Sequence, residues 1–234
     1  MITIVLLTLA LLPVPSVGTA GECAAVQIIG VRGSGQSGYG QQVGGVVADL
    51  ERRISDTGRS VLASALDYPA ISVSDSFGLV LLNGEYEASV RRGADSLRIA
   101  IDDISTRCPD TQIVLVGYSQ GAQVIKVAME NTLPEVRIGA VGLLADPTRE
   151  PSQPGVVRLG GRSGLRGGSF GAIPLPGYLR PVTVDVCAPE DSICERGGFG
   201  FVAHVEGYAG FSETVALRLM PFIVAHRVSG LVIR

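Results

Sequence analysis

Gln112-Ile113-Val114-Leu115-Val116-Gly117-Tyr118-Ser119-Gln120-Gly121 is a continuous apolar, β-branched run that ends in a G-x-S-x-G pentapeptide. Ala122-Gln123-Val124-Ile125-Lys126-Val127-Ala128 follows, with apolar residues at helical spacing, so the order is strand, tight turn, helix. A bare pentapeptide match is often a plain turn. At a strand-to-helix elbow it means more: the serine sits in a cramped backbone conformation, and the flanking glycines let neighbouring backbone approach without a Cβ clash. Ser119 is therefore the candidate nucleophile. The backbone N–H of Gln120 falls at the helix N-terminus, where unpaired donors and the helix dipole favour negative charge, and it is a candidate oxyanion donor.

Working outward, strands alternate with helices. Ala24 to Val31 reads as the first strand and runs into the glycine-rich Arg32-Gly33-Ser34-Gly35-Gln36-Ser37-Gly38. This loop lacks the lysine and glycine spacing of a phosphate-binding loop, so an oxyanion loop built on Ser34 is preferred. Val43, Val46, Val47, Leu50 and Ile54 recur at helical spacing, Val61 to Leu66 reads as a short strand, and Ile71 to Gly84 is apolar without a clean period. Glu85 to Arg107 predicts a long helix that stops before Cys108-Pro109. The helix after the elbow is expected to reach about Thr132, and Ile138 to Leu144 is a further strand. Residues 147–181 are rich in Gly, Pro, Ser and Arg and read as a long surface excursion. Val182 to Val186 resumes the sheet, and Phe211 to Val228 reads as a closing helix that Pro221 should kink or break. The alternation implies a parallel sheet covered on both faces.

A chain of 234 residues suffices for one domain with a sizeable core. A net charge of -3 gives no electrostatic reason to expect nucleic acid as a partner. Met1 to Ala20 carries no charged side chain and contains an apolar run too short to span a bilayer. It reads as a secretory signal peptide with cleavage before Gly21, a retained anchor being the alternative. A single domain then occupies residues 21–234. The four cysteines fit an oxidising compartment and two disulfides. Three pairings are formally open. The closeness of Cys187 and Cys194 favours a local staple and leaves Cys23 with Cys108. No C-x-x-C pair or suitably placed histidine points to a metal.

A serine nucleophile needs a base, and only two histidines exist. His226 lies in the final apolar segment and suits a structural or surface role. His204 lies in Gly200 to Tyr208, read as a loop after the last strand. Asp191, between Cys187 and Cys194, precedes it in the chain order Ser, acid, His, with Glu190 the nearest competitor and Asp185 read as structural.

At this point the chain resembles the cutinase family. The resemblance rests on Cys23, Arg32-Gly33-Ser34, Cys108-Pro109, Gly117-Tyr118-Ser119-Gln120-Gly121, the Cys187-x3-Asp191-x2-Cys194 bracket and His204 thirteen residues beyond the aspartate. It implies a lidless α/β-hydrolase, a three-layer α/β/α sandwich around a mostly parallel five-stranded sheet. It also implies a triad of Ser119, Asp191 and His204, an oxyanion hole from Ser34 and Gln120, and the pairings Cys23–Cys108 and Cys187–Cys194. Apolar segments that include Phe77, Leu81, Leu82, Phe199, Phe201 and Val202 would border the substrate groove. The expected activity is hydrolysis of short- to medium-chain carboxylic esters, including polyesters such as cutin, by a secreted monomer that contacts lipid surfaces and needs no metal or cofactor. Acetylxylan esterase, lipase, phospholipase and thioesterase activities are the alternatives within the family. A secreted binding protein that keeps the fold without turnover is the alternative outside enzymology.

Overall fold

The computed structural model describes residues 23–73, 83–130, 137–160, 166–197 and 200–225. The leader reading, His226, and Phe77, Leu81, Leu82 and Phe199 of the expected groove lie outside them. Among the described residues six strands form one sheet: β1 (Val26–Val31), β2 (Val61–Ala65), β3 (Gln112–Tyr118), β4 (Ile138–Leu144), β5 (Val157–Gly160) and β6 (Thr183–Cys187). Their spatial order is β2-β1-β3-β4-β6-β5, and every neighbouring pair is parallel.

The two central strands decide the architecture. All seven residues of β3 and all seven of β4 are buried, as expected for strands covered on both faces. Successive side chains point to opposite faces, so Ile113 and Leu115 join one apolar cluster while Val114 and Val116 join the other. The first cluster is closed by α2 (Glu85–Arg107) and α3 (Gln120–Met129), through Val90, Leu97 and Ile101 on the former and Val124 and Ile125 on the latter. The second is closed by α1 (Gly40–Asp56) and α5 (Ser212–Ala225), through Val43, Val47 and Leu50 and through Val215, Leu219 and Ile223. The remaining helix, α4 (Phe201–Glu206), is short.

Four sequence expectations need correction. The sheet has six strands rather than five, because residues 147–181 contain β5, and a 3-10 turn at Arg180–Val182 leads into β6. β5 is an edge strand of four residues, none fully buried, so it carries too little apolar alternation to stand out among its Gly, Pro and Arg neighbours. His204 sits in α4 rather than in a loop. The helix after the elbow ends at Met129, short of Thr132. Finally, α5 continues through Pro221, so of the expected kink or break the break is absent. The proline ring is on the exposed side, where the carbonyl that the missing N–H leaves unpaired can meet water.

β1 lies between β2 and β3, so the chain leaves β1 in one direction for β2 and returns past it to β3. That reversal is a topological switch point, and ligand crevices of open α/β sheets form there, outside the carboxyl ends of the strands. Val31 pairs with Gly117, which brings the loop after β1 and the turn after β3 side by side.

Candidate active site

Ser119 occupies the turn between β3 and α3 with φ 54° and ψ −119°, a conformation that a non-glycine residue adopts only under constraint. Its N–H is held by the Leu144 carbonyl at 2.8 Å. The flanking glycines are sterically required. A Cβ on Gly117 would stand 2.7 Å from the Gly121 carbonyl oxygen, and one on Gly121 would stand 2.1 Å from that of Val31. The elbow thus packs directly on the end of β1.

His204 Nε2 lies 2.9 Å from Ser119 Oγ, and His204 Nδ1 lies 3.1 and 3.0 Å from the two oxygens of Asp191. An ionised carboxylate only accepts, so Nδ1 carries the proton and Nε2 is left to accept from the serine hydroxyl. All three side chains are buried. The structure brings these sequence-derived residues into one chain of hydrogen bonds. It does not bring in Asp146 or Asp185, which are paired elsewhere, and Glu190 adopts φ 69° at the corner of the Asp191 loop.

Asp191 has further partners that the sequence did not disclose. Its Oδ2 accepts from the Tyr208 hydroxyl at 2.6 Å and its Oδ1 from the Ile193 N–H at 2.8 Å. Burial alone would raise the Asp191 carboxyl, but the hydrogen bond and charge of His204, the Tyr208 hydroxyl and the Ile193 amide outweigh it and hold the group below its ordinary value. Tyr118 completes the frame. Its ring stacks on the His204 imidazole at 5.3 Å between centroids, and its hydroxyl donates to the His204 carbonyl at 2.5 Å. The only hint in the sequence was the recurrence of tyrosine beside Ser119 and four residues after His204.

The loop carrying Ser34 is anchored from several sides. Arg32 donates to the carbonyls of Leu66 and Tyr68 and stacks on the Tyr68 ring, and the Gly35 N–H donates to the Ala70 carbonyl at 2.7 Å. Gln120 begins α3, so its N–H belongs to the first helical turn, where donors have no intrahelical acceptor. Its side-chain oxygen accepts from Ser89 Oγ at 3.1 Å, keeping the side chain turned into the core.

Ser34, Tyr118, Ser119 and His204 face a cleft of about 270 Å³. Ser34, Gln36, Gln42 and Ser72 give it a polar side. Tyr86, Pro147, Phe170, Ile193, Phe201 and Val205 give it an apolar wall. Phe201 of the expected groove therefore lines the cleft, whereas Val202 is 66% exposed on α4 and is not among the lining residues. On either side of Pro147 in the chain, buried Lys126 bridges Asp146 at 2.7 Å and the Thr148 carbonyl at 2.6 Å, while buried Arg149 pairs with Asp185 at 2.7 Å. The Phe170 N–H bonds to the carbonyl of Pro147, which lies between Asp146 and Thr148 in the chain, at 2.9 Å.

Both disulfides join the expected partners, Cys23 with Cys108 and Cys187 with Cys194. The second spans the Asp191 loop. Cys187, Asp191 and Cys194 lie close together, but both sulfurs are bonded to each other and offer no thiolate to a metal. Among the described residues no helix is long and apolar enough to cross a membrane.

The sequence matches the Cutinase family model over residues 22–225. It is 34% identical over 209 residues to "Carboxylesterase Culp1" of Mycobacterium tuberculosis, covering 86% of this chain and 84% of the relative. Among solved structures, the catalytic core of an acetyl xylan esterase from Trichoderma reesei superposes with a TM-score of 0.65 at 25% identity, covering 87% of this chain and 99% of that one. A Trichoderma reesei cutinase bound to a phosphonate inhibitor superposes with a TM-score of 0.63 at 24% identity, covering 86% and 77%.

Proposed function

Because this chain belongs to the cutinase family and is a carboxylic ester hydrolase, we propose that it is a secreted serine esterase acting on short- to medium-chain acyl esters through an acyl-enzyme. Ser119 is the nucleophile, His204 the base and Asp191 the group that orients the imidazole and stabilises its charged form. His204 takes the proton of Ser119 as Oγ attacks the ester carbonyl. The oxyanion rests on the backbone N–H groups of Ser34 and Gln120. The alcohol leaves with the proton from His204, and water, activated by the same histidine, releases the acid and restores Ser119. Neither metal nor cofactor enters these steps.

The observation that carries this reading is the unbroken run from Asp191 through His204 to Ser119 Oγ, opening onto a partly apolar cleft. The modest cleft volume supports acyl groups of limited length. We read the secreted state from residues 1–20 as a leader, together with two disulfides suited to an oxidising compartment, and we read the protein as a monomer.

The test is hydrolysis of p-nitrophenyl esters from acetyl to palmitoyl with Ser119→Ala in parallel. Turnover lost in the variant and a maximum at short to medium chains are the expected results. A maximum at acetyl alone would favour an acetylxylan esterase, the name carried by two of the relatives. Turnover that survives the substitution would overturn the assignment of Ser119. N-terminal sequencing of protein recovered from culture medium tests the leader, with Gly21 expected first.

A further inference from the structure

We propose that Gln36 and Gln42 are positioning residues for ester hydrolysis, forming a hydrogen-bonded bridge that fixes the loop carrying Ser34 against the helix carrying His204. The inference rests on the roles given above to Ser34 and His204. The Gly33 N–H donates to Gln36 Oε1 at 2.8 Å, Gln36 Nε2 donates to Gln42 Oε1 at 2.7 Å, and Gln42 Nε2 donates to the Val205 carbonyl at 3.0 Å. One end of this chain is a backbone N–H and the other a backbone carbonyl. Only one orientation of both amides satisfies all three bonds, so the bridge is directional and each glutamine uses both of its polar ends.

The surroundings are built for it. Gly40 adopts φ +69°, and a Cβ there would stand 2.1 Å from Gln36 Oε1, so the bare backbone at this position makes room for the bridge. Both glutamines line the cleft beside Ser34 and His204. The helix they reach is held only weakly by apolar packing. Of the six residues of α4, only His204 is buried, and Phe201, Val202 and Val205 are 50%, 66% and 47% exposed. Polar ties must therefore do what apolar packing does for α1, α2, α3 and α5. Two run through the backbone carbonyls of α4: Tyr118 holds that of His204, and Gln42 holds that of Val205.

The need for such a bridge follows from where the reacting groups come from. Ser119 and Gln120 are fixed by the central strand β3. Ser34 and His204 come from separate segments that both line the cleft, and a misplacement by a fraction of an ångström weakens oxyanion binding at the one or proton transfer at the other. The bridge ties these two segments to each other across 163 residues of sequence between Gln42 and Val205.

The experiment uses Gln36→Leu, Gln42→Leu and the double variant, with Ser119→Ala as control. kcat and KM are measured on p-nitrophenyl butyrate, and amide hydrogen exchange is followed in residues 33–36 and 201–206. Each single variant is expected to lose about tenfold in kcat, the scale of one neutral hydrogen bond, with KM within about twofold. The double variant should lose no more than either single one, because one bridge is broken once. Gln36→Leu should also speed exchange in α4, to which Gln36 is hydrogen-bonded through Gln42. Losses that multiply in the double variant, kcat within about twofold of the parent, or unchanged exchange in α4 would each overturn the bridge. Activity retained by Ser119→Ala would instead overturn the reading of the reaction, and the exchange data would still decide whether the two segments are coupled.

Discussion

The Tyr208 hydroxyl donates to Asp191 Oδ2 at 2.6 Å while accepting from the Ala188 N–H at 3.0 Å, so one phenol joins the acid of the site to the end of β6. Both side chains are buried. Tyr208→Phe removes a hydrogen bond to a charged group and is expected to lower stability by about 1.5–3 kcal/mol. It also removes one of the interactions that depress the Asp191 pKa. A carboxyl whose folded-state pKa is depressed adds stability above its unfolded value, and that stability is lost as pH falls through the folded value. Acid unfolding of Tyr208→Phe should therefore begin at higher pH than in the parent. Urea unfolding between pH 2 and 7 checks both effects, and coincident acid midpoints would remove Tyr208 from the account.

Asp191→Asn keeps the size of the side chain but can present an amide N–H to His204 Nδ1. The imidazole proton then moves to Nε2, which can no longer accept from Ser119 Oγ at 2.9 Å. A fall in kcat of about 10³–10⁴ is expected near neutral pH, with the fold intact. Steady-state kinetics paired with circular dichroism decide this, and a loss under tenfold would argue for a different acid.

Lys126 and Asp146 are each about 1% exposed and sit 2.7 Å apart. Lys126→Met leaves Asp146 charged and uncompensated in the interior and should lower stability by about 3–5 kcal/mol. Combining Lys126→Met with Asp146→Leu should recover most of that loss, because the second change removes the stranded charge. Denaturant midpoints of the single and double variants test the pair. Additive losses would contradict it.

Tyr68, Tyr86, Tyr118 and Tyr208 all have pKa values raised above the ordinary 10.0, chiefly by burial. For such groups the neutral form is favoured in the folded state. Their contribution is intact below pH 10 and is lost as the unfolded chain deprotonates above it, at up to about 1.4 kcal/mol per pH unit for each tyrosine. Thermal midpoints should hold through mildly alkaline pH and fall steeply above 10. Tyr208→Phe should make the alkaline slope shallower, and an unchanged slope would count against this origin.

The disulfides separate scaffold from site. Closing the long Cys23–Cys108 loop is worth about 4 kcal/mol and the short Cys187–Cys194 loop about half to two-thirds of that. Cys23→Ala with Cys108→Ala is expected to lower the melting temperature with kcat retained. Cys187→Ala with Cys194→Ala should lower kcat as well, because that bridge brackets Asp191. Activity measured well below each melting point distinguishes the two, and equal kcat in both variants would show that the Asp191 loop needs no staple.

The sequence alone determined the parts of this protein that repeat locally. Buried strands β3 and β4, the apolar faces of α1 and α2 and the glycine-framed elbow at Ser119 are written as runs, helical spacings and a pentapeptide, and each was found where those patterns put it. The order Ser119, Asp191, His204 was legible for the same reason, since only two histidines competed for the role of base and the cysteines bracket the acid. Edge strand β5 escaped because four half-exposed residues carry too little periodicity to register. His204 was expected in a loop because a six-residue helix with three exposed apolar side chains has no apolar face to read. What only the tertiary structure decided are the contacts between distant segments. Tyr208 reaches Asp191, Tyr118 stacks on His204, Lys126 meets Asp146, and Gln36 joins Gln42 and through it Val205. A tyrosine, a lysine or a glutamine has no sequence signature for the partner it will meet. Its hydrogen bonds are chosen by burial, which forces each enclosed polar group to find whichever partner the packed sheet and helices bring within reach.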